Sequence, residues 1–142
     1  MSARVFLDTN VLVYLFDLDA PEKQARAREI LETEGASGRA MVSTQVIQEF
    51  YVSVTRKLAQ PLDPETAYRA VEDLASLPMV QIDTTLILSA ITRHRKEQVS
   101  FWDALIIQAA LEGGAGILYT EDLQHGRVMD GLRIENPFLP TC

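Results

Sequence analysis

Short apolar runs that alternate with helical segments are the feature that most constrains the fold of this chain. Four such runs are Val5–Leu7, Met41–Val42, Met79–Ile82 and Gly116–Tyr119, and Leu132–Ile134 is a fifth candidate. Brief apolar runs that end at polar residues are typical of buried strands. Because they alternate with helices, the pattern predicts an α/β fold with a mainly parallel central sheet. Such sheets bind ligands beyond the carboxyl ends of their strands, so the residues after each run are candidate site residues.

Helical segments fill the intervals between these runs, and several carry start and stop signals. Pro21 suits the first turn of one helix, while Ser100 and the Gly113-Gly114 pair bracket the last one. The predicted helices cover residues 11–16, 21–34, 44–58, 63–76, 84–98 and 101–112.

The length of the chain, 142 residues, is close to the commonest size of one domain, so we expect a single domain over residues 1–142. No apolar run approaches the roughly 20 residues that span a bilayer, and Asp8 interrupts the apolar start of the chain. The single cysteine, Cys142, cannot form an internal disulfide. We therefore expect a cytoplasmic protein that does not enter a membrane.

The formal net charge of −7 argues against nucleic-acid binding, because Lys and Arg make most phosphate contacts. Basic residues nevertheless occur at Arg56-Lys57, Arg93–Lys96, Arg127 and Arg133. We predict that some of them flank a cleft and bind a phosphate backbone. The alternative is that they are solvated surface residues.

Two acids follow predicted strands directly. Asp8 comes after the first run and leads into Thr9-Asn10, and Asp122 follows the fourth run through Thr120-Glu121. Either acid would also serve as a helix cap or turn residue. Two strand ends that both carry an acid nevertheless indicate a site where these ends meet.

Two further acids lie in predicted helices. Asp103 opens a helix that is apolar nearly all round, where a carboxylate is costly unless it is paired or binds a cation. The alternative for Asp103 is a capping box with Ser100. Glu49 lies near the edge of the apolar stripe of its helix, and taken alone it is a solvated surface acid.

Carboxylates are the reactive groups that this sequence offers. Neither His94 nor His125 has the spacing of a zinc ligand, and the sequence contains no Gly-x-Ser-x-Gly motif and no glycine-rich phosphate loop after the first strand. Clustered carboxylates favour hard divalent cations, Mg²⁺ or Mn²⁺, which polarise phosphoryl oxygens and lower the pKa of bound water. The cation would also relieve the repulsion between the acids.

Four segments along the chain combine the acids with characteristic neighbours. They are Phe6-Leu7-Asp8-Thr9-Asn10, Gln48-Glu49-Phe50, Ser100–Ile106 and Leu118–Gly126. Together they resemble the PIN-domain family, and more closely its toxin ribonucleases of VapC type from toxin–antitoxin modules. They occur in the family's order and cover nearly the whole chain.

The resemblance implies a single PIN domain with a three-layer fold, in which helices cover a central, mainly parallel sheet of about five strands. It implies that Asp8, Glu49, Asp103 and Asp122 converge and that the protein cleaves RNA with Mg²⁺ or Mn²⁺. A small antitoxin partner and a homodimer are also implied.

The resemblance also assigns roles to individual residues. Asp8 and Asp103 would be the main metal ligands, Asp122 would assist or bind a second ion, and Glu49 would hold metal-bound water. The side chains that would orient these carboxylates are Thr9, Asn10 and Thr120. Glu121 is either a fifth acid of the site or a side chain that points to solvent.

The resulting hypothesis is an in-line attack of metal-bound water on an RNA phosphate, with Glu49 or Asp122 orienting or deprotonating the water. One alternative is a protein that binds RNA or an antitoxin without cleaving. Another is a phosphatase of the haloacid-dehalogenase type with Asp8 as the nucleophile, although such enzymes require a second acid where this chain has Asn10.

Overall fold

The computed structural model describes residues 3–140, in which six strands and six α-helices alternate. The strands are β1 (Arg4–Leu7), β2 (Ala40–Ser43), β3 (Met79–Val80), β4 (Ala115–Tyr119), β5 (Val128–Met129) and β6 (Leu132–Glu135). The helices are α1 (Thr9–Val13), α2 (Pro21–Ile30), α3 (Thr44–Arg56), α4 (Pro64–Leu74), α5 (Thr84–Lys96) and α6 (Phe101–Glu112).

The strands form one sheet in the order β3-β2-β1-β4-β6-β5, in which every pairing except that of β5 with β6 is parallel. The predicted α/β fold with a mainly parallel sheet is therefore confirmed. Strand β1 lies between β2 and β4, and Leu7 is paired with Tyr119. The residues that follow β1 and β4 consequently emerge side by side at what we call the carboxyl edge, the edge where the parallel strands end.

The helices form two layers, one on each face of the sheet. The chain steps from β1 to β2 to β3 in one direction and returns from β3 to β4 in the other. Right-handed crossovers therefore place α1–α4 on one face and α5–α6 on the opposite face. In agreement with this arrangement, α3 contacts α1 and α4, while α6 contacts α5 and the sheet. Helix α6 is buried along residues 104–107 and at Ala109 and Ala110, as its nearly continuous apolar sequence predicts.

The sheet has one short strand more than expected, because β5 pairs with β6 in antiparallel orientation. Asp130 and Gly131 join the two strands, and both have positive φ angles, 51° and 87°. A two-residue turn of this kind suits a tight hairpin, and Asp-Gly is a common sequence for it. The Asp-Gly pair was therefore a signal for the hairpin that the sequence analysis missed.

Several predicted boundaries also change. Strand β3 ends at Val80 rather than Ile82. Helix α1 begins at Thr9, because Asp8 caps it, and it continues as a 3₁₀ turn over Tyr14–Phe16. The second helix ends in a π-helical turn over Leu31–Gly35.

No helix within residues 3–140 is long and apolar enough to cross a membrane. Cys142, for which we expect no internal disulfide, lies outside the described residues.

Candidate active site

Asp8 lies directly after β1 at the carboxyl edge, and only 5% of its surface is exposed. The Thr9 backbone N–H donates to its Oδ1 at 2.7 Å, and the Thr120 hydroxyl donates to its Oδ2 at 2.7 Å. Burial raises the pKa of Asp8 to about 6; the hydrogen bonds from Thr120 and Thr9 oppose the rise, and the nearby charges of Asp122 and Glu49 add to it. Asp8 is thus a helix cap, as one reading of the sequence predicted, and also a buried carboxylate among like charges.

The loop after β4 connects Asp8 to Asp122. The Thr120 hydroxyl, which donates to Asp8, also accepts a hydrogen bond from the Asp122 backbone N–H at 3.1 Å. The side-chain amide of Asn10 donates to Asp122 Oδ2 at 3.0 Å. Asn10 therefore acts here as a donor to a carboxylate, which is a different role from that of the second acid in a phosphatase with an aspartate nucleophile.

Glu49, on α3, approaches the same edge from the neighbouring helix. Its Oε1 accepts a hydrogen bond from the Thr9 hydroxyl at 2.8 Å, and its Oε2 accepts one from the Gln45 amide at 3.4 Å. The side chain is only partly exposed. Glu49 is therefore tied to the segment that carries Asp8, unlike an isolated surface acid.

Asp103 lies in the first turn of α6 and is partly buried. Its backbone N–H donates to the Ser100 hydroxyl at 3.0 Å, so Ser100 caps the helix as predicted. Burial raises the pKa of Asp103; a hydrogen bond from Ser100 opposes the rise, and the charges of Asp122 and Glu49 add to it. The charges of Asp122 and Glu49 thus act on Asp103 as they do on Asp8.

The donor chemistry at this edge suits a hydrated, hard cation. The groups offered are carboxylates, and two of them have pKa values raised by burial and by neighbouring negative charges, which a cation would reverse. Within residues 3–140, no three His, Cys, Asp or Glu side chains lie close enough together to hold a metal ion by themselves. A hydrated cation of the Mg²⁺ type keeps several waters and commonly takes one or two carboxylates, so it does not require three side-chain ligands.

Glu121 matches neither of the two alternatives left open by the sequence. Its Oε1 accepts a hydrogen bond from the Tyr14 hydroxyl at 2.6 Å, and its Oε2 pairs with Lys23 Nζ at 2.6 Å. Lys23 also lies 4.9 Å from the centroid of the Tyr14 ring, and Tyr14 packs edge-on against Phe138. Glu121 is therefore neutralised by Lys23 next to the site and connects the loop after β4 to α2.

A cleft of about 660 Å³ opens at this edge. Among the residues that line it are Thr9, Asn10, Glu49, Asp122 and Lys57. Lys57 is thus one predicted basic residue that does flank the cleft.

Two other basic residues predicted as candidates are engaged elsewhere. Arg93 has only 10% of its side chain exposed and pairs with Glu97 and Asp130, and Arg133 pairs with Glu135. Arg93 therefore serves to join α5 to the turn between β5 and β6.

Three residues of this region were not identified from the sequence: Gln45, Tyr14 and Lys23. The spacing of four residues between Gln45 and Glu49 on a helix was a weak signal for their contact. Lys23 and Tyr14 meet Glu121 across about a hundred residues of chain, and no local pattern indicates such a contact.

Comparison with protein families identifies the fold. The family model described as the PIN domain matches residues 5–130, which is most of the chain. The chain belongs to the PIN domain family. No curated protein has a significantly similar sequence.

Solved structures share the fold of this PIN domain at low sequence identity. Mycobacterium tuberculosis VapC20, described as a sarcin-ricin loop cleaving toxin, is 19% identical with a TM-score of 0.65, over 83% of this chain and 89% of that one. A chain of a toxin–antitoxin complex from Klebsiella pneumoniae is 17% identical with a TM-score of 0.70, over 94% and 98%. A chain of the DNA-bound VapBC from Salmonella typhimurium is 21% identical with a TM-score of 0.61, over 94% and 98%.

Proposed function

We propose that this PIN domain is a divalent-metal-dependent endoribonuclease that acts as the toxin of a toxin–antitoxin pair. The observation that carries the proposal is the position of Asp8, a buried carboxylate with a raised pKa that lies beside the charges of Glu49 and Asp122. A fold that keeps such a group at the carboxyl edge of its sheet gains little stability from it, and a bound cation would account for it.

We assign Asp8 and Asp103 to Mg²⁺ as its main ligands, with Mn²⁺ as a substitute, and Asp122 to an assisting role through metal-bound water or to a second ion. When bound, the ion supplies a Lewis acid for the phosphoryl oxygen and lowers the pKa of water. Thr120 orients Asp8 and the backbone of Asp122, and Asn10 orients the Asp122 side chain. Glu49, which Thr9 holds from one side, orients the attacking water and accepts its proton.

The acidic net charge is compatible with an RNA substrate, because a bound cation would offset part of the negative field of the acids assigned to it. Lys57 lies in the cleft with Glu49 and Asp122, where it would contact the RNA backbone. Weak dependence of RNA binding on salt concentration would indicate that few such phosphate contacts exist.

The partners that we propose are a small antitoxin and a second copy of the chain. Two of the structures that share this fold, those from Klebsiella pneumoniae and Salmonella typhimurium, are toxin–antitoxin or VapBC complexes, which supports an antitoxin partner. Size-exclusion chromatography of the purified chain tests the homodimer, and co-expression with the product of a small reading frame adjacent to its gene, where the genome contains one, tests the antitoxin.

Cleavage of RNA by the purified protein tests the activity itself. We expect cleavage with Mg²⁺ and none with EDTA, and Asp8→Asn or Asp103→Asn should lower the rate at least ~100-fold, since even residues that only orient metal ligands commonly cost 10–100-fold. Asp73→Asn, on the exposed surface of α4, is the matched control and should cleave normally. Full activity of either site variant, or activity in EDTA, would refute the mechanism. Metal-independent RNA binding without cleavage would favour a non-catalytic binding role.

A further inference from the structure

Gln45 is buried at the carboxyl edge, with 5% of its surface exposed, and it connects two elements of the site. Its side-chain nitrogen, Nε2, donates to Glu49 Oε2 at 3.4 Å and to the backbone carbonyl oxygen of Trp102 at 3.3 Å. Glu49 belongs to α3, and Trp102 directly precedes Asp103 in α6. One amide group therefore contacts both helices that bring acids to the site.

The side-chain oxygen of Gln45 is buried and has no hydrogen-bond partner within residues 3–140. The orientation of the amide is set by its neighbours, because both contacts of Nε2 are acceptors. If the nitrogen and the oxygen of the amide were exchanged, the Gln45 oxygen would face two other acceptors, Glu49 Oε2 and the Trp102 carbonyl oxygen. The unpaired oxygen is therefore the consequence of directing the nitrogen at Glu49 and Trp102.

A buried acceptor without a partner destabilises a fold, whereas an apolar side chain of similar volume would fill the same space without that cost. Stability alone consequently does not explain a glutamine at position 45. The hydrogen bonds that it makes are the feature that an apolar side chain would lack.

We propose that Gln45 is a positioning residue that orients the carboxylate of Glu49 for the proposed reaction. The Thr9 hydroxyl fixes one oxygen of that carboxylate at 2.8 Å, and Gln45 approaches the other. With both oxygens contacted, rotation of the carboxylate is restricted relative to α6, which carries Asp103. This role rests on the proposed function, in which Glu49 orients water at the metal site.

A second glutamine–glutamate pair provides a matched control. Gln108 Nε2 donates to Glu112 Oε2 at 3.2 Å, with the same spacing of four residues along a helix, and the Gln108 oxygen accepts a hydrogen bond from Arg93. Gln108→Met removes this pair at the far end of α6, as Gln45→Met does at the site. Any effect common to both variants would come from the loss of a helical side-chain pair rather than from Glu49.

The test measures Mn²⁺ affinity by electron paramagnetic resonance, RNA cleavage and melting temperature in EDTA, for the wild type, Gln45→Met and Gln108→Met. We expect Gln45→Met to melt at or above the wild-type temperature, to lose about 10-fold in kcat with KM unchanged and to bind Mn²⁺ more weakly than the wild type. Gln108→Met should match the wild type in affinity and kcat. Gln45→Leu, which is also apolar, supplies a second variant if methionine disturbs packing.

The background variant Glu49→Gln separates positioning from a general structural role. If Gln45 acts through Glu49, adding Gln45→Met to Glu49→Gln should cause no further loss of affinity or kcat. An equal further loss in that background, or wild-type values for Gln45→Met, would overturn the proposal. Dependence of Mn²⁺ affinity on Gln45 without any RNA cleavage would refute the ribonuclease assignment and support the positioning role.

Discussion

At the carboxyl edge of the central sheet the buried side chains are polar, whereas behind that edge, between the sheet and its helices, they are apolar. The buried polar or charged residues within 3–140 are Asp8, Ser43, Gln45 and Thr120. Each lies at the end of β1 or β2, directly after β4, or at the start of α3. The buried residues of the interior are hydrophobic, with Phe6, Phe50 and Ile107 among the largest that are fully enclosed.

The two regions differ in what their burial contributes. Removing apolar surface from water stabilises the fold, and it does so at every position of the interior. Burying Asp8 or the oxygen of Gln45 opposes folding, because these groups lose water and gain incomplete compensation. The interior thus supplies the stability that permits a costly arrangement at the edge.

The largest effect that we expect concerns the interior, at Phe50. This side chain is fully buried and packs edge-on against Phe16, with ring centroids 5.9 Å apart. Phe50→Ala should lower the free energy of unfolding by about 3–5 kcal/mol, measured by urea denaturation in EDTA. Tyr68→Ala, at a tyrosine that is 63% exposed, should cost less than about 1 kcal/mol. Similar losses in the two variants would contradict the distinction between interior and surface.

The interior was also the part of the fold that the sequence predicted best. Helix α6 has the predicted bounds, because Ser100 caps its start and Gly113 caps its end. The chain leaves the helix at Gly114, which has a φ of 79°. Strand β5 was missed, since two residues carry too little periodicity, although the Asp130-Gly131 turn marked its hairpin. Local signals therefore sufficed where residues close in sequence decide the structure.

The edge was predictable only in part. The position of Asp8 and Asp122 after adjacent strands follows from sequence order and sheet topology. The contacts that constrain them, such as Thr120 with Asp8 across 112 residues, are tertiary and have no local pattern. Gln45 was overlooked for the same reason, because its second contact, Trp102, lies 57 residues away.

The next largest effect concerns Asp8 and the pH dependence of stability in EDTA. The folded protein keeps the Asp8 proton up to a pKa of about 6, whereas the unfolded chain releases it near 3.8. The stability linked to this proton is complete below pH 3.8 and is lost as the pH rises through about 6. Since one pKa unit corresponds to about 1.4 kcal/mol, the loss amounts to about 3 kcal/mol.

Asp8→Asn removes that titration and serves as the reference. Urea denaturation between pH 4 and pH 7 should show a wild-type stability that falls relative to the variant as the pH rises, so that Asp8→Asn is the more stable protein at pH 7. If the free energies of unfolding of the two proteins run parallel with pH, the buried Asp8 carboxylate destabilises the fold no more than an amide does. The proposed difference between the carboxyl edge and the interior would then not hold for Asp8.

The smallest effect concerns Lys23, which lies at the boundary between the two regions. Its ion pair with Glu121 at 2.6 Å is partly exposed, with 41% and 24% of the two side chains accessible. Lys23→Met should therefore lower the free energy of unfolding by no more than about 1 kcal/mol, and by less at high salt. Arg69→Met, which breaks the more exposed pair with Glu65 on α4, should cost still less. Because Glu121 also accepts from Tyr14 and immediately precedes Asp122, Lys23→Met should weaken Mg²⁺-dependent stabilisation as well, whereas Arg69→Met should leave it unchanged. If the two variants behave alike in both measurements, the Lys23–Glu121 ion pair contributes no more than a surface pair does. The group of residues whose burial opposes folding would then end at Thr120 and not include Glu121.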